Sequence, residues 1–396
     1  MAGPGVCIPS ERCATSRRSP LMSAAEPSGF PLAKAGFPDL DRGVAHFAGG
    51  GQTPLPACAR DAVEAFFRRK ADGQSGYRAH WDIAARARAR LGEMVGAAPD
   101  DIALLGSASD GISRIVEAVD WRPGDNAVMA ANDYASGRAA LGALARRGVM
   151  LTEIPAKGHS IAEDALIAAC DDRTRMLYVS QVNPLSGQRF DISRMSAALS
   201  PRGVLVLNDA THALGAIPVR AGDADATVGS CYKFLGASFM GILATGTDRG
   251  RALGASSGGW YSLSAEGTAR RFEYGNVPHL DVAILDAVLA WQLAQDPQAR
   301  ERHLLAMAGR IAGAISAAGF EPLDHGTGRN SQNICLYHPA ASALARGLET
   351  LGVRVWFDND RLRLSAQVFN DDADIGRLID ALKNMREHSV IKGERE

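Results

Sequence analysis

The chain has 396 residues, 46% of them hydrophobic and 22% charged, with a formal net charge of -1. That is the profile of an ordinary globular protein long enough for two domains. The near-neutral balance excludes a partner held by bulk charge, such as nucleic acid or an anionic membrane surface.

No apolar run reaches the roughly 18 residues that a membrane-spanning helix needs. The six cysteines (Cys7, Cys13, Cys58, Cys170, Cys231 and Cys335) are scattered, with no C-x-x-C pair and no histidine at zinc-ligand spacing. No metal is expected, and the compartment is expected to be a reducing cytoplasm. Near the start, Ser16-Arg17-Arg18-Ser19 resembles a twin-arginine export signal. Such a signal needs an uncharged apolar stretch next, and Glu26, Pro27, Pro31 and Lys34 follow instead. Residues 1–22 are expected to be a disordered extension, with Met22 an alternative start, and residues 23–45 a separate N-terminal segment.

A large domain is expected over residues 46–278. From His46 a short strand-like piece enters Gly49-Gly50-Gly51-Gln52-Thr53-Pro54, a loop whose glycines let backbone approach a ligand closely. It is no dinucleotide fingerprint, because G-x-G-x-x-G is absent. Amphipathic helices follow over about Ala57 to Lys70 and Ile83 to Val95. Strand Ile102–Leu105 leads through Gly106-Ser107-Ala108-Ser109-Asp110-Gly111 into a helix marked by Ile112, Ile115, Val116 and Val119. Strand, small-residue turn and helix make an anion site, since free N–H groups and the helix dipole face the turn; simple capping by Ser107 or Ser109 accounts for the serines equally well. Strands at 127–130, 150–154, 176–180 and 204–209 then alternate with helices at about 136–147, 162–170 and 193–199. Repeated strand–helix units with nearly continuous apolar strands predict a parallel sheet covered on both faces. Ligands of such sheets sit beyond the strand C-termini, where Ser109, Tyr134, Asn183, Asp209 and Lys233 fall.

Two of these residues stand out. Asp209 ends the apolar run Val204–Asn208, and Lys233 follows Ala226-Thr227-Val228-Gly229-Ser230-Cys231-Tyr232. A lysine wedged between aromatics at the end of a buried strand is desolvated, which lowers its pKa and suits Schiff-base chemistry. Paired with a buried carboxylate, it forms the arrangement that pyridoxal phosphate needs: the lysine holds the aldehyde and the aspartate keeps the pyridine nitrogen protonated. Beyond Pro278 the pattern becomes a smaller α+β domain over residues 279–396. Its helices are expected at about 281–294, 300–318 and 372–385, and its strands near 333–336, 353–356 and 361–364.

The order of these segments resembles the class V aminotransferase family of fold type I pyridoxal-phosphate enzymes, a group that includes cysteine desulfurases, kynureninase and isopenicillin-N epimerase-like proteins. The resemblance runs from about His46 to Asp380. It implies an α/β fold with a mostly parallel seven-stranded sheet between helices in the large domain. It also implies pyridoxal 5′-phosphate as cofactor, a small amino acid as substrate, and a homodimer with shared active sites.

Gly106-Ser107-Ala108-Ser109-Asp110 resembles the family's phosphate loop, so Ala108 and Ser109 would bind phosphate. Tyr134 would stack on the pyridine ring. Asn183, in Ser180-Gln181-Val182-Asn183, would bond the cofactor's 3′-oxygen. Asp209-Ala210-Thr211-His212 resembles an Asp-x-x-His motif that brings His212 to the same oxygen. Ser230 would add a phosphate hydrogen bond and Lys233 would form the covalent link. Arg271-Phe272-Glu273-Tyr274-Gly275-Asn276 resembles the segment that reaches the neighbouring subunit's phosphate, with Asn276 in place of a threonine. Arg363 would clamp the substrate α-carboxylate.

The departures matter. The stretch Val355–Asp360 lacks the nucleophilic cysteine of the desulfurases, Cys335 reads as packed and inert, and the usual Gly-Pro-x-Gly after the lysine is replaced by Gly236-Ala237-Ser238-Phe239. The S-x-x-K at Ser230 lacks the companion motifs of the penicillin-binding proteins. Transamination is therefore ranked first. C–S β-elimination and epimerisation remain alternatives, and a non-enzymatic paralogue ranks behind them because Lys233, Asp209 and Arg363 are all intact. Arg78, His80, Trp81 and Trp260 are candidates, by position only, for contacting the substrate side chain.

Overall fold

The structure, a computed structural model, describes residues 29–41 and 43–387. The expected disordered extension, Cys7, Cys13, the arginine pair and Met22 lie outside the described residues. In chain order the elements are β1 (Ala45–His46), α1 (Cys58–Ala71), α2 (Gly73–Val95), β2 (Ile102–Leu105), α3 (Ala108–Ala118), β3 (Asn126–Ala130), α4 (Ala135–Gly142) and β4 (Met150–Ile154). Then come α5 (Glu163–Ala169), β5 (Thr174–Ser180), α6 (Ile192–Leu199), β6 (Leu205–Asp209), β7 (Ala226–Ser230), β8 (Gly241–Thr245) and α7 (Asp248–Ala252). The C-terminal part holds α8 (His279–Leu293), α9 (Pro297–Ala317), β9 (Asn333–Tyr337), α10 (Ala341–Thr350), β10 (Val353–Arg354), β11 (Trp356–Asp358), β12 (Arg361–Ser365) and α11 (Asp372–Glu387).

The seven-stranded sheet has the order β2-β8-β7-β6-β5-β3-β4. Only β8 runs against its neighbours; the other pairings are parallel. Its strands are buried along almost their whole length, apart from the edge strand β4. Strands with no exposed alternate residues need helices on both faces, and separate apolar clusters fill the two sides. The fold is that of the fold type I pyridoxal-phosphate enzymes.

Three local outcomes differ from the sequence expectation. Helix α2 starts at Gly73, ten residues before Ile83, because Gly76 lets the α1–α2 corner close: a side chain there would sit 1.7 Å from the carbonyl oxygen of Arg69. The expected strand at 353–356 is split, with β10 pairing in parallel with β1 and β11 pairing antiparallel with β12. Finally, α10 was not anticipated. Strand β12 is the centre of a three-stranded antiparallel sheet, β11-β12-β9, and this small sheet carries Arg363 to the large one.

Candidate active site

Six strands of the large sheet end on one edge, and the candidate residues collect there. A cavity of about 100 Å³ is lined by Ala108, Ser109, Tyr134, Asp209, His212, Ser230 and Lys233 together with Ser107, Ser136, Val182, Pro184 and Tyr232. Each follows from local structure. Ser107 caps α3 by accepting a hydrogen bond from the Asp110 backbone N–H at 3.0 Å, so Ser109 is free to bond Ser136 across the turn, Oγ to Oγ at 2.8 Å. The N–H groups at the start of α3 face the cavity, as an anion site requires.

Asp209 and Lys233 are both buried, at 4% and 7% exposure. Asp209 accepts from the Tyr178 hydroxyl at 3.1 Å and from the Thr211 backbone N–H at 2.9 Å. Lys233 Nζ lies 2.8 Å from His212 Nε2 and 5.7 Å from the ring centres of both Tyr134 and Tyr232. Burial, reinforced by the nearby Arg363, lowers the Lys233 pKa to about 7, against the opposing pull of Asp209. Burial and the cations Lys233, Arg363 and Arg361 push His212 well below the ordinary histidine value, so its ring is neutral. Tyr134 presents an exposed ring face above the cavity, the shape that a flat aromatic ligand needs.

Arg363 sits behind this group. It is buried, its Nη1 donates to the Pro184 carbonyl at 2.8 Å, and its Nε has no partner. Burial lowers its pKa to about 10. The Gly49–Gly51 loop lies over it. The glycines were expected to let backbone approach a ligand; what they admit is the chain's own small sheet, since a side chain at Gly50 would sit 2.5 Å from Ser365 Oγ and 2.8 Å from Arg363 Nε.

Other expectations land elsewhere. Asn183 does not line the cavity: its Oδ1 accepts from the backbone of Leu185 and Ser186, and its Nδ2 donates to the Asn132 carbonyl. The next residue, Pro184, takes the wall position, because the turn consumes the asparagine amide. Asn276 is exposed and accepts from Tyr77 at 2.8 Å, away from the cavity lining. Of the positional candidates, His80 is buried against Phe66 and His279, Trp81 stacks on Tyr261, and Arg78 and Trp260 are exposed. None of them lines the cavity.

Cys231 and Cys335 are buried, and burial raises both thiols. Neither has thiolate character. Sequence reasoning also missed Tyr178, Pro184, Gln332 and Asn333. Gln332 and Asn333 lie far from the motifs in sequence and meet them only through the fold, whereas Tyr178 and Pro184 flank the Ser180–Asn183 motif and carry no local signal of their own. A larger cleft of about 850 Å³ opens beside α5 and α6. Of its lining charges, Arg194 pairs with Glu163 and Asp164, Arg189 pairs with Glu301 outside the lining, and no cysteine, histidine or lysine lines it.

The fold and this cavity define an enzyme of the pyridoxal-phosphate class. The family Aminotransferase class-V matches residues 47–343, and the chain belongs to it. That family uses pyridoxal 5′-phosphate, and the residues present fit it: a buried amine of lowered pKa, a buried carboxylate, an exposed aromatic face and a helix N-terminus around one cavity.

An uncharacterised protein of Schizosaccharomyces pombe is 30% identical over 148 residues, 36% of this chain and 34% of its own. An uncharacterised aminotransferase of the same yeast is 24% identical over 309 residues, covering 72% and 77%. Kynureninase from Bacillus anthracis is 26% identical over 220 residues, half of each chain. The chain thus spans about a third of the first of these relatives and half of the kynureninase. Among solved structures, a cystine C–S lyase superposes with a TM-score of 0.81 at 20% identity, covering 87% of this chain and 98% of that one. The Escherichia coli cysteine desulfurase CsdA gives 0.79 at 17% identity, covering 90% and 98%.

Proposed function

We propose that the protein is an enzyme acting at the α-carbon of a small amino acid, with transamination as its reaction. The observation that carries this reading is the Lys233 amine, its pKa lowered to about 7 by burial, 2.8 Å from His212 and in the same buried region as Arg363. Pyridoxal phosphate, when bound, supplies the electron sink that makes an α-proton removable. Ser109, Ser230 and the N–H groups at the start of α3 would hold its phosphate, Asp209 would hold its ring nitrogen, and Tyr134 would cover its face.

The chain's own residues do the rest. Arg363, buried behind the cavity, would orient the substrate through its carboxylate. Lys233, with a pKa lowered to about 7, has a large free-amine fraction at neutral pH and can accept the α-proton and return it elsewhere. Proton return to a different carbon is what separates transamination from epimerisation.

Tyr134 and Tyr232, flanking Lys233, favour a second reading. Their ring centres lie 5.7 Å from Lys233 Nζ, and a phenol brought within hydrogen-bond reach of a bound substrate would protonate a group leaving the β-carbon, which would make the enzyme a β-lyase.

A symmetric dimer belongs to the same proposal. Asn276 is exposed, and so is Trp260 beside the adjacent Gly275, as residues that complete a partner's site would be. The described cysteines, all free, suit a cytoplasmic enzyme.

The test is a visible spectrum of the protein with pyridoxal phosphate, before and after a panel of amino acids without any keto acid. Transamination predicts bleaching after one equivalent of substrate. Continued turnover with release of a β-substituent would establish the lyase reading, loss of chirality the epimerase reading. A protein that takes up no cofactor would be the non-enzymatic paralogue, and the proposal would fall.

A further inference from the structure

We infer that Asn333 is a positioning residue that fixes the tautomer of His212 and thereby presents Lys233 as an uncharged amine. The inference rests on the proposed role of Lys233. Asn333 opens β9, is buried, and is paired in register with Ser365 of β12. Its Nδ2 lies 3.1 Å from His212 Nδ1, and its Oδ1 accepts from Ser365 Oγ at 2.7 Å.

An amide NH₂ only donates. His212 Nδ1 must therefore carry its lone pair, and the one proton of a neutral imidazole must sit on Nε2. That N–H points at Lys233 Nζ, 2.8 Å away. An ammonium has no lone pair with which to accept it; a free amine has one. The hydrogen-bond chain Ser365, Asn333, His212, Lys233 thus has a fixed direction and ends on the nucleophile.

The side chain of Gln332 reinforces the arrangement by donating to the His212 carbonyl at 2.5 Å. The groups that act electrostatically on this pair from the surrounding elements are Asp209, Arg361, Arg363, Tyr134 and Tyr232. Burial and the two arginines favour an uncharged Lys233 and outweigh Asp209 and the two tyrosine ring faces, so the tautomer and the surroundings agree. The sequence gives no hint of this link, because Asn333 lies in the small sheet, far along the chain from both partners.

The test needs no bound cofactor. Full-length protein with ¹⁵N-labelled histidine, freed of cofactor, should show His212 with a bare Nδ1 and a proton on Nε2; the signal is assigned by its loss in His212→Gln. In parallel, trace acetylation of Lys233 by acetic anhydride is followed across pH by mass spectrometry. Asn333→Asp keeps the shape but reverses the hydrogen bond. It should move the proton to Nδ1 and raise the half-reaction pH of Lys233 by about one pH unit or more, because an ammonium can then donate to Nε2. Asn333→Ala should leave the tautomer unset.

A proton on Nδ1 in the unsubstituted protein would overturn the inference. So would an Asn333→Asp protein in which both readouts are unchanged. Should that variant not fold, the measurement on the unsubstituted protein decides alone. A chain with the expected tautomer but no uptake of pyridoxal phosphate would sink the proposed function and leave this inference standing.

Discussion

Two buried clusters of charge in this molecule are built on opposite principles. On one side of the sheet, Arg88 of α2 donates to Glu273 at 2.6 Å, and the other carboxylate oxygen accepts from the Leu104 backbone N–H at 2.7 Å. Both oxygens are used, and the pair ties helix, loop and strand together. At the strand ends, Lys233 meets a neutral histidine and two tyrosine rings, and Arg363 a backbone carbonyl; among the described residues neither forms an ion pair. A buried cation matched by a carboxylate is a fastener; one without a counter-ion is placed to meet an anionic ligand. The family resemblance had drawn attention to Arg271-Phe272-Glu273 for function. The structure gives Glu273 to the first kind of cluster and shows Arg271 donating to the carbonyls of Leu253, Thr268 and Gly250.

Substitution separates the two clusters. The largest effect belongs to Lys233→Ala, which should leave a folded protein with turnover reduced on the order of 10³-fold or more. Near-normal turnover would remove Lys233 from the mechanism. Glu273→Ala strands a buried arginine and a backbone N–H, and should cost about 3–5 kcal/mol in chemical denaturation; an unchanged midpoint would mean that the pair fastens nothing.

Arg363→Ala should do the reverse. Stability should hold, because the cation removed was incompletely satisfied, while KM for carboxylate substrates should rise roughly 10- to 100-fold. An equal loss for amines without a carboxylate would dispose of the clamp. Cofactor uptake offers a pH check. With the Lys233 pKa near 7, the amine is protonated below that value, so the uptake rate should climb as pH rises through 7 and then level off. A flat profile from pH 5 to about 9 would contradict the lowered pKa. The smallest effect is expected of Tyr178→Phe, which removes one hydrogen bond to Asp209 and should cost about 1 kcal/mol in stability, checked by thermal melting.

Much of the site was legible beforehand because its parts sit at strand ends, and strand ends are marked by where apolar runs stop. Lys233, Asp209, His212, Ser230, Ser109, Ala108 and Tyr134 all fall on the cavity for that reason. Asn183 did not, because a turn competed for its amide and won, a local contest that composition does not reveal. Asn333 and Tyr178 were out of reach in another way. Each acts across a gap that only the register of strands closes, so nothing near them in sequence distinguishes them from ordinary buried polar residues. The early start of α2 was hidden by its glycines, which read as breakers but serve a tight corner.

The contact of Gly50 with Arg363 and Ser365 has a practical side for protein engineering. A library that diversifies the triple-glycine loop to change substrate preference would mostly sample disturbed variants, since an added side chain would run into Gln367 at Gly49, Ser365 and Arg363 at Gly50, or Trp356 at Gly51. The exposed ring of Phe239 has solvent to grow into or retreat from, so diversity placed there costs the fold less.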